Sequence, residues 1–313
     1  MKKKMIAALL TVAMVVSLTA CGSSSSESAS TTSETETASE TEATDETATA
    51  DEATTDEATD TESDFVVGDK IKAIQEAGVL VVGCDASYAP YSFVDATTGN
   101  PEPVGIDIEI AKILGEKLGV DVKLEPMIFN AVISALATDK LDVVIDGVTP
   151  SDEQRETVDF SDPYMTCEEG IVIKTEDADK YKTTSDFTGQ KVAANIGSSE
   201  ERFVQECLPG AEVLSLDKIP SSMMELQAGN VAGVCMEKTV GQQYVDAYDN
   251  LTWSEASDSS YDSIKAIAVN KGNDDLLALV NQVIAECIAD GSIDEWLATY
   301  SKEAAEMNAA NAE

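Results

Sequence analysis

The sequence predicts an α/β fold, on three observations. Short apolar, β-branched runs alternate with stretches whose apolar residues recur at helical spacing. This alternation occurs twice, once before and once after Asp186. The length of 313 residues also suits two medium cores, at about 150 residues for each. Strand-helix-strand units of this kind form mostly parallel sheets that are covered by helices. We therefore predict two consecutive α/β units.

The first unit contains three predicted strands and two predicted helices. Its apolar runs predict strands at 79–82, 121–124 and 141–145. Its helical stripes predict helices near 107–118, ended by Gly119, and at 129–137. An aromatic loop at 83–93 follows the first strand. Ligands bind at the carboxyl ends of strands in open α/β sheets, so we expect this loop to face a ligand.

The second unit repeats this pattern. Its predicted strands are 191–195, 212–216 and 231–236, and its predicted helices begin at 197 and span 221–228. A further strand at 264–269 and two amphipathic helices, 275–290 and 293–300, complete the chain, with Gly291 between the helices.

The N-terminus has the pattern of a targeting segment. Three lysines precede an apolar run that is too short for a comfortable membrane span, so residues 1–20 are predicted to be a signal peptide. Residues 18–21, Leu-Thr-Ala-Cys, resemble a bacterial lipoprotein box. That resemblance implies that Cys21 receives a diacylglyceryl group, becomes the mature N-terminus and anchors the chain to the cell membrane. The alternative is a plain signal peptide with a chance cysteine.

Residues 21–64 are predicted to form a disordered tether. After Cys21 the composition is almost entirely Ser, Thr, Ala, Glu and Asp, with no basic residue. Such a segment cannot bury enough apolar surface to become ordered, and its like charges extend it.

Composition excludes several function classes. Lys and Arg number 20 against 59 Asp and Glu, and a net charge of -39 disfavours binding to nucleic acid. The chain has no histidine, which removes the commonest metal ligand and general base. Its five cysteines other than Cys21 form no CxxC pair, so we expect no zinc site. We expect no metal and no cofactor.

The stretch 144–164 contains a candidate anion-binding site. A buried strand breaks at Gly147, where the backbone can approach a ligand closely. Thr149 and Ser151 follow with hydroxyls, and Arg155 offers a guanidinium that matches a carboxylate. The alternative is an ordinary connection from strand to helix with a surface arginine.

A family resemblance follows from several motifs in order. They are Asp85-Ala-Ser-Tyr-Ala-Pro-Tyr-Ser-Phe93, Gly105-Ile-Asp107, the 129–136 helix, Gly147-Val-Thr149 with Arg155, Asp159-Phe-Ser-Asp-Pro-Tyr164 and Gly197-Ser-Ser199. In these motifs, residues 79–300 resemble the family 3 extracellular solute-binding proteins, which are the polar amino-acid receptors of ABC importers. The resemblance implies a type II periplasmic-binding-protein fold, with two lobes that close on an amino acid in the cleft.

The resemblance also implies lobe bounds and partners. Two crossings, near 166–168 and 258–263, divide the chain into lobe 1, residues 65–166 plus 262–313, and lobe 2, residues 167–261. The expected partners are an amino acid, an ABC permease and the membrane that holds the lipid anchor. We expect a monomer.

Site residues are implied by the same motifs. Arg155 receives the ligand carboxylate, with Gly147 and Thr149 beside it and Ser198 and Ser199 across the cleft. Glu237 receives the ammonium, while Tyr88 and Phe129 form walls. Three positions depart from the family pattern. The position of the family's arginine is occupied by Gln154, one place before Arg155. The family's second-lobe aspartate is replaced by Glu237, and Asp146 stands where the family has a small residue.

The acidic excess at these positions suggests the ligand. Asp85, Asp146, Glu200 and Glu237 outnumber Arg155, so we predict a cationic amino acid such as arginine, lysine or ornithine. Asp85 also matches a position that receptors for basic amino acids use against the ligand's distal charge. A neutral ligand such as glutamine or cystine is the alternative, because these acids can instead be solvated or can cap helices.

Two other classes remain open. A few periplasmic dehydratases resemble this family, and paired acids such as Asp85 and Glu237 could carry out acid/base chemistry. The chain has no histidine, nucleophile motif or metal spacing, so we predict that it is not an enzyme. A sensory ligand-binding module that signals through a membrane partner would also fit the tether and anchor.

Overall fold

A computed structural model describes residues 65–258, 261 and 263–312 of the chain. The predicted signal peptide, the lipidated Cys21 and the tether lie outside these residues. Within them the α/β class is confirmed, with two mixed sheets and helices packed against both.

The first sheet has the strand order β4-β1-β5-β13-β6, and β7 also pairs with β13. Its strands are β1 (Val79–Cys84), β4 (Asp121–Pro126), β5 (Val143–Val148), β6 (Val158–Phe160), β7 (Met165–Cys167) and β13 (Ser263–Asn270). Strand β1 runs parallel to β4 and β5, whereas β13 runs antiparallel to β5, β6 and β7. The helices of this part are α1 (Asp69–Ala77), α2 (Ile106–Leu118), α3 (Phe129–Leu136) and α4 (Asp152–Thr157).

Helix α2 shows why these segments fold as predicted. Its apolar stripe of Ile106, Ile110 and Leu114 is fully buried in the main core cluster, together with Leu80 of β1 and Ile145 of β5. Burying such a stripe against a sheet stabilises both elements through the hydrophobic effect.

The second sheet has the strand order β10-β9-β11-β8-β12. Its strands are β8 (Glu169–Lys174), β9 (Lys191–Asn195), β10 (Glu212–Leu216), β11 (Gly233–Glu237) and β12 (Leu251–Trp253). Strands β9, β10 and β11 are parallel, and β8 is antiparallel to β11 and β12. Its helices are α5 (Ser199–Cys207), α6 (Ile219–Ala228) and α7 (Lys238–Ala247), with short 3-10 turns at Thr175–Asp177 and Thr184–Phe187.

Two helices end the described chain. They are α8 (Asp274–Ala289) and α9 (Ser292–Ala312), and α9 runs beyond the predicted 293–300 and packs against α7. The small hairpin of β2 (Ser87–Tyr88) and β3 (Ser92–Phe93) forms the aromatic loop after β1. In the described part of the chain no single helix is long and apolar enough to span a membrane, although the bent pair of α8 and α9 passes that test together.

Both sheets are less parallel than predicted. Strands β13 and β8 each return antiparallel beside a parallel set, because each follows a segment in which the chain crosses from one sheet to the other. We call each sheet with its packed helices a lobe. The bounds predicted for the two lobes, 65–166 plus 262–313 and 167–261, stay a prediction.

Candidate ligand-binding site

Two carboxylates lie at the carboxyl ends of neighbouring strands. Asp85 follows β1, and Asp146 lies in β5, where its side chain is fully buried. The Asp85 amide donates to Asp146 Oδ1 at 2.6 Å, while Asp146 Oδ2 has no hydrogen-bond partner among the described residues. The Asp85 carboxylate accepts hydrogen bonds from the amide and hydroxyl of Ser87. The structure therefore brings these two predicted residues together.

Contrary to the prediction, strand β5 does not break at Gly147 but continues to Val148, and Gly147 serves the protein's own packing. Gly147 has φ 54°, a left-handed conformation that favours glycine, and a Cβ there would lie 2.7 Å from the Tyr88 ring. Its amide donates to Asp107 Oδ2 at 2.8 Å, and Tyr164 donates to Asp107 Oδ1 at 2.7 Å. This amide is thus committed to Asp107, and the place of Gly147 beside the ligand carboxylate stays a prediction.

A buried ammonium from β13 meets acids of the second lobe. Lys265 Nζ lies 3.1 Å from Glu237 Oε2, and it donates to the Tyr88 hydroxyl at 3.3 Å and to Thr149 Oγ1 at 3.5 Å. It also lies 5.6 Å from the centroids of the Tyr88 and Tyr91 rings. Sequence reasoning missed Lys265, although a lysine inside an apolar strand was a signal that could have found it.

Two tyrosines of the aromatic loop complete this contact between lobes. The Tyr91 hydroxyl donates to Glu237 Oε1 at 2.5 Å. The Tyr88 hydroxyl lies 3.3 Å from both Glu200 Oε1 and Glu237 Oε2. Predicted residues Tyr88 and Glu237 thus lie in one buried cluster, with Glu200 beside them.

Burial dominates the electrostatics of this cluster. Loss of water raises the pKa of Asp85 and, further, that of Asp146. It raises the pKa of Asp107 to about 7, although the Tyr164 hydroxyl opposes the shift. Burial disfavours the Lys265 ammonium, yet the neighbouring Glu237 carboxylate raises the pKa of Lys265 above its ordinary value. Lys265 is therefore a permanent cation.

A cavity of about 820 Å³ opens beside the cluster. Residues of both sheets line it, including Phe129, Thr149, Ser151, Gln154, Ser198 and Arg202. Among the described residues, Arg202 is the one basic side chain that lines the cavity. Arg202 Nη2 donates to the Thr149 carbonyl at 3.1 Å. Ser198 caps α5, where its hydroxyl accepts from the Glu201 amide.

Ser199, the neighbour of Ser198, lies deeper. Its side chain is buried, and its hydroxyl donates to Glu200 Oε2 at 3.3 Å. The Tyr261 hydroxyl donates to the Ser199 carbonyl. Ser199 thus faces the acidic cluster, whereas Ser198 faces the cavity.

Arg155 does not line this cavity, and its role as the carboxylate ligand stays a prediction. It is exposed on α4, with its guanidinium carbon 5.4 Å from the Phe160 ring centroid. Successive helical residues are rotated by about 100°. Gln154 therefore faces the cavity, held by a capping box with Ser151, while Arg155 faces outward.

Comparisons with known proteins show what this chain is similar to. Residues 80–303 match the model of the bacterial extracellular solute-binding proteins, family 3. The L-cystine-binding protein TcyJ of Escherichia coli K12 is 30% identical over 71% of this chain and 82% of that protein. The arginine-binding extracellular protein ArtP of Bacillus subtilis is 26% identical over 69% and 83%. A substrate-binding protein of Streptococcus pneumoniae, solved with L-arginine bound, has a TM-score of 0.72 at 30% identity, over 74% of this chain and 98% of that one.

Proposed function

This chain belongs to the bacterial extracellular solute-binding proteins of family 3, and on that premise we propose that it is the receptor of an ABC importer for a cationic amino acid, such as arginine, lysine or ornithine. The two lobes close on the ligand and deliver it to the membrane permease. Relatives in this family bind arginine or cystine. The chemistry of the site therefore has to indicate which side chain the ligand of this protein carries.

The charge of the cluster carries this proposal. The described residues include one buried ammonium, that of Lys265, and six buried carboxyls; these are Asp85, Asp107, Asp146, Glu169, Glu200 and Glu237. Buried charges need partners, and Lys265, which already pairs with Glu237, cannot pair with each of these carboxyls once they ionise. A ligand with a cationic side chain would add the missing positive charge.

The carboxylate end of the ligand has a different place. In the cavity, Arg202 supplies a guanidinium, and the hydroxyls of Thr149 and Ser198 lie nearby. A guanidinium matches a carboxylate geometrically and pairs with it by two parallel hydrogen bonds. We therefore assign the ligand carboxylate to Arg202, with Phe129 as an apolar wall. We keep Glu237 for the ligand ammonium and Asp85 and Asp146 for the cationic side chain. Tyr88 stays proposed as a wall and Ser199 as a residue across the cleft.

A neutral polar ligand is the second candidate. Burial raises the pKa of Asp107 to about 7 and holds the pKa of Asp146 well above its ordinary value, so part of the cluster is protonated near neutral pH. A site with fewer charges would accept glutamine or cystine.

A binding screen distinguishes these candidates. The chain from Phe65 onward is heated with each common amino acid, and a ligand at a hundredfold excess over its Kd stabilises the folded state by about 2.7 kcal/mol. We expect arginine, lysine or ornithine to raise the Tm. A response to glutamine or cystine alone would replace the cationic assignment, and the absence of any response would contradict the receptor function.

Membrane anchoring through Cys21 belongs to the same proposal. The lipoprotein box, followed by an acidic tether, would hold a monomeric receptor beside its permease. When the full chain is expressed in bacteria, the membrane fraction should contain the chain from Cys21 onward with a mass that includes the lipid. Cys21→Ala should move the protein to the soluble fraction; equal membrane recovery would contradict the anchor.

A further inference from the structure

Glu169, the first residue of β8, is a buried acid that the sequence did not single out. It is 5% exposed and pairs in register with Glu237 of β11. Neither of its carboxyl oxygens has a hydrogen-bond partner among the described residues. Leaving a buried polar group without a partner is costly, so this position needs an explanation.

Groups from several elements face Glu169. They are Glu200 of α5, Glu237 and Cys235 of β11, Tyr88 of β2, Lys265 and Ser263 of β13, and Tyr261. Lys265 and Ser263 alone favour its charged form, and the other acids oppose it.

Lys265 does not satisfy this carboxyl. An ammonium has three hydrogens, and those of Lys265 have acceptors in Glu237, Tyr88 and Thr149. The Ser263 hydroxyl is hydrogen-bonded with Thr149 at 2.8 Å, where either hydroxyl could donate, and its nearness to Glu169 lowers the pKa of that carboxyl by less than burial raises it.

The neighbouring acids are already engaged. Glu237 is paired with Lys265 and accepts from Tyr91, and Glu200 lies within hydrogen-bond distance of Tyr88 and Ser199. Glu169 is thus the acid of the second lobe that is left without a hydrogen bond in the described structure.

A carboxyl in this position holds a proton. Burial, followed by the Glu200 carboxylate, raises the pKa of Glu169 to about 8. At neutral pH the ligand-free site therefore contains a neutral acid, which becomes a carboxylate when a cation arrives.

We propose that Glu169 is a specificity-determining residue that receives the cationic end of the ligand, and that each binding event releases the proton of this carboxyl to solvent. This inference rests on the proposed function, which it extends by naming the acid that selects for a cation. A neutral ligand would leave the proton in place.

Titration calorimetry with L-arginine tests this on the chain from Phe65 onward. At pH 7, runs in two buffers of different ionisation enthalpy give the number of protons released, which we expect to be about one. From pH 6 to 7 the affinity should rise about tenfold per pH unit, and it should level off above pH 8. The affinity rises with pH because a higher pH removes the proton that competes with the ligand cation.

Two matched variants assign the proton to its residue. Glu169→Gln keeps the size of the side chain and removes its titration, so we expect lower arginine affinity at pH 8, a loss of the proton released at pH 7 and a shallower pH profile. Glu168→Gln changes the neighbouring, exposed glutamate that pairs with Lys238. That variant should keep the proton release and pH profile of the unmodified chain.

The possible outcomes are distinct. Arginine binding with unchanged proton release in Glu169→Gln would overturn this inference and leave the receptor function standing. Binding of L-glutamine but not arginine would overturn it as well, together with the cationic assignment. If the unmodified chain bound no amino acid, the proposed function itself would fail. Circular dichroism of each variant confirms that it is folded.

Discussion

Lys265 and Glu237 form an ion pair between the two sheets, with Nζ and Oε2 3.1 Å apart and both side chains at most 1% exposed. Lys265 comes from β13 and Glu237 from the end of β11, so the pair joins the lobes at the base of the site. This pair arranges Tyr88 and Thr149, which contact the same ammonium.

Removing the cation should destabilise the protein strongly. Lys265→Met leaves Glu237 buried without its partner, and breaking a buried pair from one side costs about 3–5 kcal/mol. Urea unfolding of the ligand-free chain measures this loss. Lys271→Ala is the control, because Lys271 pairs with Asp159 at the surface, where such pairs contribute about 0–1 kcal/mol. Equal losses in the two variants would contradict the importance of the buried pair.

The strands that position the site could be predicted from the sequence. The strand segments ending near Asp85, Gly147, Ser198 and Glu237 are short apolar runs that end in glycine or polar residues, and that local pattern is sufficient to place them. Asp85 and Glu237 accordingly lie at strand ends in the structure, while their roles in ligand binding stay predictions.

The remaining contacts depend on tertiary structure. The pairing of Lys265 with Glu237 joins two sheets, and no local pattern encodes it. The outward position of Arg155 could not be predicted, because the phase of α4, which turns Gln154 toward the cavity, depends on the Ser151 capping box. In the sequence, nothing distinguishes Glu169 from the other acidic residues of this acidic chain. Only its burial in the structure shows that it is unusual.

The ligand-free protein should lose stability as the pH rises from 5 to 8. Burial raises the pKa of Glu169 to about 8 and that of Asp107 to about 7. Over this range the folded chain holds protons that the unfolded chain has released, so the free energy of unfolding falls with pH, by roughly a few kcal/mol. Urea unfolding at pH 5.5 and 8 measures it, and Glu169→Gln should show a smaller loss. Stability that is constant or rises with pH would contradict these protonation states.

Gly147 should tolerate no side chain. Gly147→Ala places a Cβ 2.7 Å from the Tyr88 ring at φ 54°, and the left-handed conformation alone costs about 1–2 kcal/mol. Because Tyr88 must move, we expect a larger loss of stability and weaker arginine binding. Gly189→Ala is a matched control with φ 72°, where a Cβ meets no described atom within 4 Å. Gly189→Ala should lose only the stability that the left-handed conformation costs, and its arginine binding should be unchanged. Similar losses at both positions would show that the approach of Tyr88 to the backbone does not matter.

Two arginines test which residue binds the ligand carboxylate. Arg202 lines the cavity and contacts the Thr149 carbonyl, whereas Arg155 lies outside over Phe160. Hydrogen bonds to charged groups contribute about 1.5–3 kcal/mol, so Arg202→Ala should weaken binding of L-arginine roughly tenfold or more. Arg202→Lys should restore part of this affinity, because it keeps the charge but loses the planar fork. Arg155→Ala should leave the Kd unchanged in the same calorimetric titration. The reverse result, with Arg155→Ala weakening binding and Arg202→Ala neutral, would show that α4 turns during closure and that Arg155 is the carboxylate ligand after all.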